Sequence, residues 1–177
     1  MIKTSGLRIA KASSLPLGRE DSFTALYRDH HAAVRSILFR FKVRDLEDLL
    51  QEVFLKAYRK QDMFRAEASP RSWLIRIAIN VAKDHLKHSH TKRETALLEP
   101  EQVAGSEAKG PLADIIEACM DQLHVQHREI LILCVIEGYS MKEAATILEI
   151  PEGTIKSRLS SARQDMMKRL KAEGVEA

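Results

Sequence analysis

Two groups of side chains in this 177-residue sequence have the types and the spacing to hold a polyanion. Arg76, Asn80, Lys83 and Lys87 recur at steps of four, three and four, so on a helix they form one stripe. From Arg71 to Arg93 the cations are Arg71, Arg76, Lys83, Lys87, Lys92 and Arg93, and the only acid is Asp84. A merely solvated face usually interleaves acids, so this stripe reads as a basic ridge for phosphates. The second group lies near the C-terminal end: Ser157, Ser160, Ser161, Gln164 and Lys168 share one side of a helix, with Lys156 and Arg163 on its flank. Cations there can meet phosphates while hydroxyls and the amide reach base edges in a major groove. An ordinary amphipathic helix carries a similar outer face. The elements that position both groups must therefore decide between the two readings.

The second group rides on a helix-turn-helix pattern. Ser140 followed by Glu143 is a capping box that opens a short helix carrying Ala144, Ala145, Ile147 and Leu148. Glu149-Ile150-Pro151 breaks it, and a second helix begins at or just after Pro151, where a missing N–H is tolerated. Ile155, Leu159, Ala162, Met166 and Leu170 form the buried stripe of that helix. Upstream, Leu112, Ile115, Ile116, Cys119 and Leu123 mark one helix. Ile130, Leu131, Leu133 and Cys134 mark another, with Gly138 as its left-handed cap.

The basic ridge belongs to an N-terminal helical group. Phe23, Leu26, Tyr27, Val34, Ile37 and Leu38 predict a helix running to about Phe41. Asp45 is placed to cap the next, over 46–60, which buries Leu46, Leu49, Leu50, Val53, Phe54, Ala57 and Tyr58. Its outer face presents Asp48, Gln51, Glu52, Leu55, Lys56 and Arg59, a surface suited to a partner helix. Residues 61–70 form a loop ending in Ser-Pro, and a third helix over about 71–88 buries Leu74, Ile77, Ala78 and Val81. The expected fold is all-α: two small helical domains, 21–88 and 112–171, joined by a flexible linker over 89–111, the second containing the helix-turn-helix. A loose basic arm over 1–20 precedes them and a short tail over 172–177 follows.

Composition narrows the function classes. The formal charge of +3 is only mildly basic, so the distribution of charge matters more than its sum. Cys119 and Cys134 lie in apolar helical patterns without a CxxC partner and read as free thiols in a reducing compartment. No signal-peptide core is evident, and the run Ile130 to Ile136 is too short to span a bilayer, so a cytoplasmic protein without membrane insertion is expected. His85-x-x-His88-x-His90 and His124-x-x-His127 have tempting metal spacings, but no Cys or carboxylate cluster completes a site. Without a phosphate loop, nucleophile elbow or paired catalytic carboxylates, no catalytic residue, metal or cofactor is expected. A stand-alone helix-turn-helix regulator accounts for 140–171 but leaves helix 46–60 and the basic ridge unexplained.

Three blocks carry a family resemblance. Asp45-Leu46-Glu47-Asp48-Leu49-Leu50-Gln51-Glu52-Val53-Phe54-Leu55-Lys56-Ala57-Tyr58-Arg59 resembles the second-region signature of extracytoplasmic-function (ECF) sigma factors. Trp73-Leu74-Ile75-Arg76-Ile77-Ala78-Ile79-Asn80, followed by Asp84 and Lys87, resembles the same region. Gly153-Thr154-Ile155-Lys156-Ser157-Arg158-Leu159 with Ala162-Arg163 is similar to the family's recognition helix. The blocks occur in the family's order and spacing, over about 21–88 and 112–171.

The resemblance implies a bacterial transcription initiation factor that gives RNA polymerase its promoter choice. It assigns Asp48, Gln51, Glu52, Leu55 and Arg59 to the polymerase clamp helices. The loop 61–70, with Phe64 and Arg65, would capture an unstacked base of the minus-10 element, and Arg76, Asn80, Lys83 and Lys87 would hold that strand. Trp73 matches the family's tryptophan and suits either core or a stacking platform. The C-terminal domain would engage the polymerase flap and bring Thr154, Lys156, Ser157, Arg158, Ser160, Ser161, Arg163 and Gln164 to the minus-35 element. An anti-sigma factor is an implied partner. Ser160-Ser161 stands where relatives often carry a bulky or basic residue, so the minus-35 preference does not transfer. A relaxed linker of some two dozen residues spans ~27 Å and an extended one roughly 80 Å. Promoter boxes one and a half to two duplex turns apart lie roughly 50–70 Å from each other. The linker is therefore expected to be ordered only in the holoenzyme, with the two domains free to collapse together otherwise.

Overall fold

The computed structural model describes residues 20–64, 69–95 and 110–175, with the side chains of 20–22, 63 and 89–95 outside the description. Its regular elements are all helical among the described residues: α1 (Glu20–Arg40), α2 (Leu46–Arg59), α3 (Pro70–Thr95), α4 (Pro111–Asp121), α5 (Val125–Leu131), α6 (Met141–Leu148) and α7 (Glu152–Ala172). The expected basic arm, most of the linker and the last two residues of the tail lie outside the described residues.

α1 to α3 pack on one another around Val34, Ile37, Leu38, Phe41, Leu50, Val53, Phe54, Leu74 and Ala78, all buried. α2 does not start as the sequence suggests. Asp45 makes no side-chain cap; its backbone is left-handed (φ 55°, ψ 49°), a conformation that a short polar side chain tolerates. The helix begins through the Asp45 carbonyl, which accepts from the Leu49 N–H at 3.0 Å, with Glu47 and Asp48 favouring the positive end of the dipole. Tyr58 is also not buried. It is 48 % exposed and meets the edge of Phe23 (ring centroids 5.2 Å apart) instead of entering the core.

α3 opens on a serine cap, the Ser69 hydroxyl accepting from the Ser72 N–H at 3.1 Å, with Pro70 as its first residue. It runs to Thr95, past the expected end near His88, because Ser89 to Thr95 contain no Gly or Pro and supply Lys92 and Arg93 for the negative helix end. It is buried more widely than its sequence stripe predicts: Ile75, Ile79 and Ala82 are covered as well as Leu74, Ile77, Ala78 and Val81.

The extra cover comes from the C-terminal helices, since α6 packs directly on α3. α5 passes into one π-helical turn, Ile132–Ile136, closed by Gly138 in the left-handed region (φ 73°) that favours glycine. The capping box of α6 is complete: the Ser140 hydroxyl accepts from the Glu143 N–H at 3.2 Å, and the Glu143 carboxylate accepts from the Ser140 N–H at 2.9 Å. The Ser140 hydroxyl also donates to that carboxylate at 2.7 Å, and this bond first, with the one from the Ser140 N–H, holds the Glu143 carboxyl below the ordinary carboxylate range. α6 ends at Glu149 in a left-handed conformation (φ 53°), and α7 follows Pro151 with Ile155, Leu159 and Ala162 buried. Buried side chains of both helical groups belong to one hydrophobic cluster.

Candidate functional site

α7 presents Lys156, Ser157, Ser160, Ser161, Arg163 and Gln164 to solvent, because its buried stripe is turned onto α5 and α6. The Ser157 hydroxyl donates to the Thr154 carbonyl at 3.1 Å, which leaves its lone pairs for an incoming donor. Thr154 and Arg158 differ from the rest. Both are half-buried, and Arg158 lines the cleft toward α3. The site is thus a row of small hydroxyls and an amide flanked by cations, the chemistry of base-edge and phosphate contact.

On α3 the four residues of the basic stripe lie along one side, and acids of the C-terminal helices hold Arg76 and Lys83. Arg76 Nη1 is paired with Glu149 Oε1 at the end of α6, and Lys83 Nζ lies 2.7 Å from Glu129 Oε2 of α5. Asn80 is exposed between them, and Lys87 is exposed one turn further on. Arg76, Asn80 and Lys83, together with Ile79, Ile147 and Arg158, wall a cavity of about 220 Å³ between α3 and the C-terminal helices. Ahead of α3, Phe64 stands edge-on to Trp73 with ring centroids 5.3 Å apart. Both rings are half-buried. Arg65 lies outside the described residues.

The outer face of α2 is arranged as its periodicity requires. Asp48, Gln51, Leu55 and Arg59 are exposed, and Glu52 is half-buried and paired with Lys56 at 2.7 Å, an i,i+4 bridge. Leu55 is 47 % exposed while Val53 and Phe54 beside it are buried. The surface is a leucine ringed by an acid, an amide and an arginine.

Sequence reasoning missed the acids of the C-terminal helices that face the N-terminal ones. Besides Glu129 and Glu149, Glu137 accepts from the Ser36 hydroxyl at 2.7 Å and lies 3.8 Å from Arg40. Lys42 Nζ reaches Glu117 at 3.1 Å and Asp121 at 2.6 Å. The one available signal was Arg128-Glu129, two charges at the head of an apolar run; both are buried. Arg128 donates to the Arg40 carbonyl at 3.3 Å and lies 3.1 Å from Asp121. Among the histidines, His88 Nδ1 meets the Asp84 carbonyl at 2.7 Å, His127 Nδ1 lies 3.1 Å from Asp165, and the His124 ring accepts from the Gln126 N–H. Among the described residues no three His, Cys, Asp or Glu side chains gather where a metal could be held. No described helix is long and apolar enough to cross a membrane.

Comparison with known proteins agrees with this arrangement. Residues 26–91 match the family profile Sigma-70 region 2, and residues 113–166 match Sigma-70, region 4. The chain is 31% identical over 148 residues to the ECF RNA polymerase sigma factor SigM of Mycobacterium tuberculosis, covering 82% of this chain and 76% of that protein. It is 31% identical over 170 residues to the RNA polymerase sigma-H factor of Pseudomonas aeruginosa (86% and 88% covered). The ECF RNA polymerase sigma-E factor of Escherichia coli is 28% identical over 163 residues (83% and 85% covered). Among solved structures, the sigma factor RpoE in complex with the anti-sigma factor NepR from Bartonella quintana superposes with a TM-score of 0.68 at 26% identity, covering 85% of this chain and 98% of that one. The chain belongs to the ECF group of the sigma-70 family of RNA polymerase sigma factors.

Proposed function

We propose that the protein divides promoter recognition between its two helical groups, α1–α3 forming the polymerase-docking and minus-10 domain and α4–α7 the minus-35 domain. The outer face of α2 docks on core RNA polymerase, with Leu55 as its apolar centre and Asp48, Gln51, Glu52 and Arg59 as its polar rim. The segment after Phe64 takes an unstacked base against the Trp73 side of α3, while Arg76, Asn80, Lys83 and Lys87 run along that strand. The exposed face of α7 enters the major groove at the minus-35 element. The observation that carries this reading is the coexistence of both surfaces in one chain. A stand-alone regulator needs α7 but has no use for a solvent-facing leucine on α2 or a cationic stripe on α3.

The chain acts in transcription initiation, and bond formation belongs to the polymerase, so it is a specificity subunit and not an enzyme. It works in the cytoplasm, where polymerase and chromosome are. The polymerase flap fits the apolar side chains that the C-terminal helices bring to one groove, Ala113, Ile116, Met120 and Ile136. The Bartonella relative is held by an anti-sigma factor, and by analogy this chain has an inhibitor of that class.

Co-purification with bacterial core polymerase tests the reading. Wild type should be retained and Leu55→Ala should be retained less. Absence of binding to core, with no inhibitor present, would return the chain to the class of stand-alone DNA-binding regulators.

A further inference from the structure

We infer that His127 is a further phosphate contact at the minus-35 element, one that requires a proton, with Asp165 as the group that positions its ring. The inference rests on the reading of α7 as the helix that enters the major groove, and it extends the contact surface to α5.

Neither residue belongs to the row of groove-facing side chains. At 3.6 residues per turn, Asp165 lies on the flank of that row opposite Lys156 and Arg163, one turn from Ser161 and Lys168. A helix seated in a major groove has a phosphate backbone along each flank. Lys156 and Arg163 supply the cations on one side. On the other, Asp165 places a carboxylate, which a phosphate repels. The structure sets His127 of α5 against that carboxylate, its Nδ1 3.1 Å from Asp165 Oδ2. Other charged and titratable groups flank the pair. Arg158 shares that side of α7 but lines the cleft toward α3. Arg169, one turn beyond Asp165, donates to Gln122 Oε1 at 2.7 Å. His124, just before α5, sets its ring edge-on to His127 with centroids 6.2 Å apart, and accepts from the Gln126 N–H. Arg128, next in the chain, is buried and turned to Asp121. Among the described residues no third ligand makes the two histidines a metal site.

A carboxylate has no proton to give, so Nδ1–H is the donor in this pair, and Asp165 thereby fixes the orientation of the ring. Nε2 is then the remaining ring nitrogen. It has no hydrogen-bond partner among the described residues, and the side chain keeps 25 % of its surface exposed. In the neutral ring Nε2 carries a lone pair, which a phosphate oxygen repels. A proton taken from solvent onto that lone pair makes Nε2 a donor and balances the Asp165 charge. The ring then meets the phosphate through a charge-assisted bond. Phosphate contact and protonation are thus one event. Binding at the minus-35 element tightens as pH falls through the range in which histidine changes charge.

The experiment measures holoenzyme binding to a promoter duplex that wild type has enriched from random-sequence DNA. Filter binding over a salt series is run at about pH 6 and at about pH 8.5. Wild type, His127→Gln, His127→Lys and Lys156→Ala are compared, with thermal denaturation as the check on folding. Wild type should bind several-fold more tightly than His127→Gln at the lower pH, and the two should converge at the higher. The salt slope of wild type should exceed that of His127→Gln by about one at the lower pH only, because one more phosphate contact releases one more counterion. His127→Lys sets a permanent cation opposite Asp165, so its steep slope should persist at both pH values. If His127→Gln fails to fold, the pH-dependent slope of wild type against the constant one of His127→Lys carries the test. A pair that only ties α5 to α7 would change stability and leave every salt slope alone, and that result overturns the proposal. Lys156→Ala separates the two readings. If it weakens binding at both pH values while His127→Gln keeps a constant ratio to wild type, His127 is not a phosphate contact. If Lys156→Ala binds like wild type, the reading of α7 is lost, and His127 with it. A chain that does not bind core is put through the same series alone, since a stand-alone regulator reads DNA through the same helix.

Discussion

Truncating Leu55 separates docking from folding, because the same helix carries side chains devoted to each. Fully burying a leucine stabilises by about 1.5–3 kcal/mol. With 47 % of Leu55 still exposed, covering it against a partner is worth about 0.7–1.4 kcal/mol. That corresponds to a roughly 3- to 10-fold loss of polymerase affinity in Leu55→Ala. By the same reckoning the folded chain should lose only about 0.8–1.6 kcal/mol, since roughly half of the side chain is already covered. Leu50, on the opposite face and 3 % exposed, gives the reverse pattern. Leu50→Ala should cost about 2–5 kcal/mol of stability through its cavity, yet the molecules that remain folded should bind polymerase like wild type. Titration of labelled protein with core polymerase, paired with thermal denaturation of each variant, measures both quantities. Wild-type affinity in Leu55→Ala would refute the assignment of this face, and a large loss of stability would mean that its side chain belongs to the core.

Lys156→Ala should weaken holoenzyme binding to its promoters uniformly across minus-35 sequences and lower the salt slope by about one, measured by filter binding over a salt series. Gln164→Ala should instead relax discrimination between sequences, if its amide reads a base edge. Ser140→Ala should lower stability by about 1 kcal/mol through loss of the α6 cap, read as a shifted urea midpoint. The Glu143 carboxyl is lowered below its ordinary value, so its share of the cap is complete above that ordinary value and is lost as pH falls through the lower folded one. Protection factors of α6 amides, exchange corrected for its intrinsic dependence on pH, should fall across that acidic window in wild type, and Glu143→Gln should abolish that fall.

What was legible in the sequence is what is decided within a few residues. The capping box at Ser140 and Glu143, the break at Pro151, the left-handed Gly138 and the first three residues of the α7 stripe are settled by neighbours three or four positions away and stand in the structure as expected, while Met166 and Leu170 further along that stripe are only half-buried. The outer face of α2 was legible for the same reason. Failures begin where a distant partner decides. Tyr58 carries the spacing of a core residue, but Phe23 on α1 offers it only an edge. Ile75 and Ile79 look surplus on α3 until the C-terminal helices cover them. The basic stripe lacks interleaved acids along the chain because they arrive from elsewhere, Glu129 being 46 positions beyond Lys83 and Glu149 73 positions beyond Arg76. Charge patterning read one helix at a time cannot see such a pair.

The length of α3 changes how far the two helical groups can part. A linker counted from Ser89 is generous, but α3 continues to Thr95 and α4 starts at Pro111, which leaves residues 96–110 to bridge them. Fifteen residues reach at most about 50–54 Å when taut, against roughly 50–70 Å between promoter elements. The dimensions of the helical groups add reach, so both elements can be contacted, but little slack remains. Deleting residues 101–105 removes about 17 Å of that reach. Binding to core polymerase through α2 should survive the deletion, while transcription from promoters that depend on both elements should collapse. A promoter with its elements moved closer by half a duplex turn should be served better by the shortened chain than the natural spacing is. Equal transcription from the natural spacing by both chains would mean that the helical groups, and not the linker, set the separation.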